Sequence, residues 1–252
     1  MNLLHMIIPA LAAFLGGFIN SVAGGGSFFT FPALLWVGIL PTVANASSTV
    51  ALLPGSLSSA WAYRDDIKKE SHIPGIISLL LVSLVGGVVG AFLLLSTAES
   101  VFVKLIPWLL LIATLIFMGG KRISNALKNR VTIKKHHILI AQFFISLYGG
   151  YFGGGLGILL LAVFSFIGIE DIHTMNGLKT LFSAIINLMA SLIFIFTGHV
   201  NWTAALPMIV FAILGGLVGP WLARKIPQNT LRMIILIFSS ATTVWFFVKT
   251  YH

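Results

Sequence analysis

Long apolar runs separated by short polar intervals fill the chain from end to end. They cover residues 3–22, 26–40, 43–62, 73–95, 101–119, 138–152, 155–169, 177–197, 203–222 and 231–248, and the charged residues fall almost entirely in the gaps between them. Roughly 20 apolar residues are what a helix needs to cross about 30 Å of hydrocarbon. Lipid offers the backbone no hydrogen-bond partner, so the runs are expected to be helices, and none shows the alternation of a barrel strand. The expected fold is therefore an all-α polytopic membrane protein of about 8 transmembrane helices. The runs at 26–40, 138–152 and 155–169 are short for full spans. Where they flank the two glycine clusters they are read as broken or re-entrant helices, which persist only where protein or a watery cavity covers their backbone.

Composition strengthens this reading. Of 252 residues, 58% are hydrophobic and 8% charged, against about 25% charged in soluble domains. The net charge of +9 could suggest nucleic acid, but the basic residues sit in short loops beside apolar runs, where the positive-inside bias places them. With no cysteine, disulfides, thiolate metal sites and cysteine nucleophiles are excluded. Ala10-Leu11-Ala12-Ala13 has the small residues of a cleavage site, but no Lys or Arg precedes it and the apolar run continues. It reads as a retained membrane segment.

The most basic interval, 120–137, holds Lys121, Arg122, Lys128, Arg130, Lys134 and Lys135, and is assigned to the cytoplasm. Counting runs in both directions puts Arg64, Lys68 and Lys69, and then Arg224, Lys225 and Arg232, on that same side. Residues 96–100, 198–202 and both termini then lie opposite.

The sequence also repeats itself at an offset of 129–131. Gly24-Gly25-Gly26 matches Gly153-Gly154-Gly155, Gly38 matches Gly168, and Asn45-Ala46-Ser47-Ser48-Thr49 matches Asn176-Gly177-Leu178-Lys179-Thr180. Gly86-Gly87-Val88-Val89-Gly90 matches Gly215-Gly216-Leu217-Val218-Gly219. Basic residues occupy opposite loops in the two copies, as halves of opposite orientation require. The expected organisation is a first membrane repeat at 1–120, a basic cytoplasmic linker at 121–137 and a second, inverted repeat at 138–252. Inverted repeats characterise secondary transporters, which bind substrate near the midplane between the halves; duplication for packing alone is the plainer alternative.

Each half pairs a glycine cluster with a polar helix start. Glycine lets a helix break and lets backbone N–H groups approach a ligand, and N–H groups at a helix start favour an anion. The candidate substrate-binding residues are Gly24, Gly25, Gly26, Ser27, Asn45, Ser48 and Thr49 in the first half. In the second they are Gly153, Gly154, Gly155, Asn176, Lys179 and Thr180. Lys179 is the most informative, because an ionisable group inside a bilayer costs several kcal/mol unless paired or solvated. The competing reading is a side chain snorkelling to the headgroups, about 12 Å along the helix from Asp171. Gly86-Gly87-Gly90 and Gly215-Gly216-Gly219 are read as helix-packing motifs, and Asn187 as an interhelical hydrogen bond. Glu170, Asp171 and His173 read as a water-facing loop, with proton relay as the alternative. No metal site, nucleophile–base pair, nucleotide loop or cofactor motif is present in the sequence.

Phe31-Pro32-Ala33-Leu34-Leu35 after Gly24-Gly25-Gly26, then Gly38-Ile39-Leu40-Pro41 and Ala44-Asn45-Ala46-Ser47-Ser48, resemble the first half of the TauE/SafE sulfite exporter family. Gly150-Tyr151-Phe152-Gly153-Gly154-Gly155-Leu156-Gly157 followed by Asn176 to Thr180 is similar to its second half. The resemblance implies a non-enzymatic permease of the prokaryotic inner membrane, moving sulfite, an organosulfonate or a related small anion by alternating access. It implies an ion gradient, of protons or another ion, as the energy source, and leaves homo-oligomerisation open. Two departures bear on substrate and direction: Leu161 stands where the repeat would place a second Pro32, and Ser48 faces Lys179 in the alignment. An anion channel, a membrane-embedded enzyme and an assembly partner are the alternatives. Saturable flux separates a carrier from a channel, and the apolar runs offer no acid–base constellation to an enzyme.

Overall fold

The structure, a computed structural model, describes residues 3–69, 75–128, 135–169, 171–223, 225 and 228–251. The apolar runs are helices: α1 (Leu3–Val22), α2 (Ser27–Trp36), α3 (Pro41–Ala62), α4 (Arg64–Lys69), α5 (Ile76–Ser96), α6 (Glu99–Lys128), α7 (Lys135–Tyr151), α8 (Leu156–Ile167), α9 (Ile172–Phe196), α10 (Trp202–Ala223) and α11 (Gln228–Tyr251). No strand occurs among the described residues.

The helices depart from the sequence expectation mainly at their ends. α9 begins at Ile172, five residues before the apolar run, because Asp171 caps it: the Asp171 carboxylate accepts from Thr174 N at 2.8 Å and Thr174 Oγ1 at 2.7 Å. α6 continues past its apolar run to Lys128, and α7 starts at Lys135. Both helices therefore extend into the expected linker 121–137. What separates them, 129–134, lies outside the described residues with Arg130 and Lys134, as do Glu170 and Arg224.

Both glycine clusters break a helix in the same way. At the end of α1, Ala23 N and Gly24 N both donate to the Ile19 carbonyl at 2.9 Å, with Gly24 at φ +76°. At the end of α7, Phe152 N and Gly153 N donate to the Tyr148 carbonyl at 2.9 and 3.1 Å, with Gly153 at φ +74°. The left-handed residue closes the last turn and leaves the chain free to turn back. α2 and α8, with 10 and 12 residues, rise about 15 and 18 Å, roughly half a bilayer's hydrocarbon.

Glycine also sets the tightest helix packing. α5 lies against α7 and α10 against α1, while α3 packs on both α9 and α10. A Cβ added to Gly86 or Gly90 would run into the backbone of α7, and one on Gly215 or Gly219 would run into α1. Small residues let helices approach this closely where no hydrophobic drive separates helix from lipid. The outward faces are apolar: Ile77, Leu81, Val85 and Phe92 on α5, and Leu206, Val210, Leu214 and Trp221 on α10, are all exposed. An apolar exterior around small and polar interior contacts is that of a multi-pass membrane protein. Among the described residues Ile76–Ser96, Ile172–Phe196 and Trp202–Leu222 are each long and apolar enough to cross a bilayer.

Candidate functional site

The two helix breaks meet in the interior. Gly24, in the first break, lies against Gly157, in the first turn of α8: a Cβ on Gly157 would stand 2.6 Å from Gly24 Cα. A Cβ on Gly153 would stand 4.0 Å from Ser27 Oγ, and one on Gly155 would be 3.7 Å from the Phe28 ring. The residues of both breaks thus share one region, into which α3 and α9 bring their polar turns.

Those turns reach across to the other half. Asn45 of α3 donates from Nδ2 to the Tyr151 carbonyl, at the end of α7, at 3.0 Å. Lys179 of α9 donates from Nζ to the Ser21 carbonyl, at the end of α1, at 3.1 Å, and to Asn176 Oδ1 at 2.9 Å. Each polar side chain therefore satisfies a carbonyl that a helix end leaves without an intrahelical donor, and the amine among them stands at the negative end of a helix dipole. Lys179 is 0% exposed, so it does not snorkel. Its stem packs on Gly157, where a Cβ would stand 3.0 Å from Lys179 Cδ. Among the described residues no carboxylate forms an ion pair with it.

The other expected residues divide by what holds them. Thr49 donates to the Asn45 carbonyl at 2.9 Å, and the Thr180 hydroxyl lies 3.1 Å from the Asn176 carbonyl and 2.8 Å from that of Gly177. Both hydroxyls are thus bound to their own helices. Ser48 meets Thr30 of α2 hydroxyl to hydroxyl at 2.6 Å. Asn187 is buried in α9, and His173 stacks on Tyr63, with ring centroids 6.5 Å apart.

Sequence reasoning gave no role to two residues that hold the breaks, nor to a third that holds the start of α3. Asn20 Oδ1 accepts from Gly25 N at 3.0 Å and from Gly26 N at 2.7 Å, filling the position an anion's oxygen would take at the start of α2. An amide five residues ahead of a glycine pair was the available signal. Tyr148 ties the second break differently, donating from its hydroxyl to the Gly154 carbonyl at 2.6 Å. Glu99 accepts from Thr42 N at 3.0 Å and from the Thr42 hydroxyl, so the N-terminus of α3 already carries an internal carboxylate. Among the described residues no side chain accepts from the N–H groups of Gly154 and Gly155.

A cavity of about 280 Å³ lies elsewhere, between the end of α2, the start of α3, and α6 and α11, lined by Leu35, Gly38, Pro41, Val103, Phe246 and Lys249 among others. None of the candidate residues lines it, and at the meeting point of the breaks Gly24, Gly154, Asn45 and Lys179 are buried.

The family model for the sulfite exporter TauE/SafE matches residues 9–246, a range that takes in both broken helices and both polar helices that reach across to them. The chain belongs to the TauE/SafE family. It is 28% identical over 251 residues to the Escherichia coli K12 probable membrane transporter protein YfcA, covering 95% of this chain and 90% of that protein. A probable membrane transporter protein of Haemophilus influenzae is 27% identical over 233 residues, covering 91% and 89%. The probable membrane transporter protein ORF9 of a Sinorhizobium species is 29% identical over 239 residues, covering 93% and 89%. No solved structure matches the chain. TauE/SafE membership makes it a membrane transporter with a small-molecule substrate in a lipid bilayer.

Proposed function

We propose that this protein is a secondary permease for a small sulfur-containing anion, sulfite or an organosulfonate, working by alternating access between two inverted halves. The observation that carries the reading is Lys179: a fully buried amine between the two helix breaks, bonded to a carbonyl and an amide oxygen and, among the described residues, to no carboxylate. A buried charge without a partner is costly, and an anion from outside supplies what the fold withholds.

Helix pairing supports the inverted halves. Exchanging α1 with α7, α3 with α9 and α5 with α10 turns the α1–α10 contact into α7–α5, and α3–α10 into α9–α5, all of which are present. In this reading 121–137 faces the cytoplasm of a prokaryotic inner membrane, and the termini face away from it. The anion settles at the second break, beside the N–H groups of Gly154 and Gly155, and takes over Lys179 Nζ from the Ser21 carbonyl. Because that bond joins α9 to α1, ligand binding changes which packing of the halves is favoured, as a transporter requires. Asn176 and Asn45 orient the site from either side. The burial of Lys179, Asn45 and Asn176 at the meeting point favours a carrier over an open channel.

The test is thermal unfolding of purified protein in detergent with sulfite, thiosulfate, short sulfonates, sulfoacetate, acetate and chloride. A ligand at a hundred times its Kd stabilises the folded state by about 2.7 kcal/mol. Stabilisation by a sulfur anion that disappears in both Lys179→Ala and Asn176→Ala is expected. Stabilisation that survives both substitutions would remove the site assignment.

A further inference from the structure

The charges around the breaks add up to a rule for what the site accepts. Four helix ends converge there: the C-termini of α1 and α7 at Val22 and Tyr151, and the N-termini of α2 and α8 at Ser27 and Leu156. Each C-terminus carries about half a negative charge and each N-terminus about half a positive one, so the four cancel. The side chains that hydrogen bonds tie to this point are Lys179 and four neutral ones, the amides of Asn20, Asn45 and Asn176 and the phenol of Tyr148. The described acidic groups belong elsewhere: Glu99 is bound at the start of α3, Asp171 caps α9, and Asp65 and Asp66 lie on α4. Among the described residues, Lys179 is therefore the one basic group at this point, and when protonated it balances a single negative charge.

Resting on the permease reading above, we infer that the site selects its ligand by charge number and takes a tetrahedral oxyanion only in its singly charged form. A monoanion beside Lys179 leaves the enclosed region neutral. A dianion leaves one negative charge without a partner, and a neutral isostere leaves the ammonium as it was. The second half alone sets this rule, because the repeat position of Lys179 in the first half is Ser48, an uncharged hydroxyl bonded to Thr30.

Three near-isosteric sulfur compounds separate the outcomes: methanesulfonate with one negative charge, sulfate with two and dimethyl sulfone with none. Their affinities for the full chain in detergent are measured by thermal shift and calorimetry at constant ionic strength. Methanesulfonate is expected to bind, with sulfate and dimethyl sulfone each on the order of a hundredfold weaker, the scale of one unbalanced charge at membrane depth. Lys179→Gln, uncharged and able to keep a donor toward Ser21, is expected to remove the advantage of methanesulfonate over dimethyl sulfone. Ser48→Lys, which adds a second cation, is expected to move the preference toward sulfate. Its failure to fold would leave the wild-type ranking and Lys179→Gln to decide. Sulfate binding as tightly as methanesulfonate would overturn the charge rule and leave the anion-permease reading standing. Dimethyl sulfone equal to methanesulfonate in wild type, or no binding by either anion, would overturn both.

Discussion

The two helix breaks are built on one backbone plan and carry different chemistry. In each, a first helix ends on a left-handed glycine, a short helix follows, and a polar helix from the other half satisfies the exposed carbonyl end. In the first break a side chain from the preceding helix, Asn20, accepts from the N–H groups of Gly25 and Gly26, and the reaching residue from the other half is a lysine. In the second, Tyr148 holds a carbonyl instead, and the reaching residue is a neutral asparagine. The N–H groups after the first break are thus taken by the protein's own Asn20, while among the described residues no side chain accepts from those of Gly154 and Gly155. The two breaks share one backbone plan, and the differences between them provide the proposed site.

The largest effect expected from breaking this arrangement is at the shared contact of the two halves. Gly24 stands at φ +76° with the Gly157 backbone against it. Gly24→Val adds strain and a backbone clash together and should cost about 3 kcal/mol or more, read as a collapse of the melting temperature or loss of folded protein on size exclusion. Gly38, also left-handed but with open space around it, is the control, since Gly38→Ala carries the strain without the clash.

Lys179→Met separates stability from function. Replacing a buried amine that has no carboxylate partner among the described residues by an apolar side chain of similar length should leave the fold equally stable or more stable by about 1 kcal/mol or more, while anion-dependent transport in proteoliposomes disappears. Loss of stability in parallel with transport would mean that Lys179 serves only as a cap on α1.

Asn20→Asp tests the hold of Asn20 on the first break. The carboxylate keeps both accepted hydrogen bonds and adds a negative charge one residue from the Ser21 carbonyl that Lys179 binds. It should lower the affinity for a sulfur anion by about tenfold or more, or about 1.4 kcal/mol, with little change in melting temperature. Asn20→Ala should not reproduce the loss of anion binding, although it leaves two buried N–H groups unsatisfied.

These variants also mark where the sequence was legible. The helices, the two breaks and the packing glycines follow from apolar runs and glycine spacing, because membrane depth leaves few alternatives to helix and close packing favours small residues. The burial of Lys179 did not follow: a lysine three residues inside an apolar run is equally compatible with snorkelling, and only the packing of Gly157 along its stem decides the matter. Asn45 and Asn176 carried a polar signal, but their partners lie more than a hundred residues away or on a neighbouring turn, and spacing along one helix cannot reveal a contact made across halves. The hydroxyls of Thr49 and Thr180 looked like ligand donors from composition. In the fold each is turned back onto its own helix, the usual competition between a threonine hydroxyl and the preceding turn.

The smallest expected effect concerns how the two polar helices begin. α3 starts on a carboxylate borrowed from α6, Glu99, whereas α9 starts on its own Asp171. Bonds from the Thr174 hydroxyl and then from the Thr174 N–H hold the Asp171 carboxyl below the usual carboxylate range. A carboxyl whose pKa is lowered by folding contributes stability above its unfolded pKa, about 4 for a free aspartate. That contribution fades as pH falls through the lower folded value. Asp171→Ala should therefore cost about 1 kcal/mol at neutral pH, the scale of a lost N-cap. The gap between wild type and variant in thermal unfolding should narrow only under acid conditions, below about pH 4. A gap that did not change with pH would mean that the Thr174 hydroxyl, through its bond to the Asp66 carbonyl, holds the start of α9 without the charge.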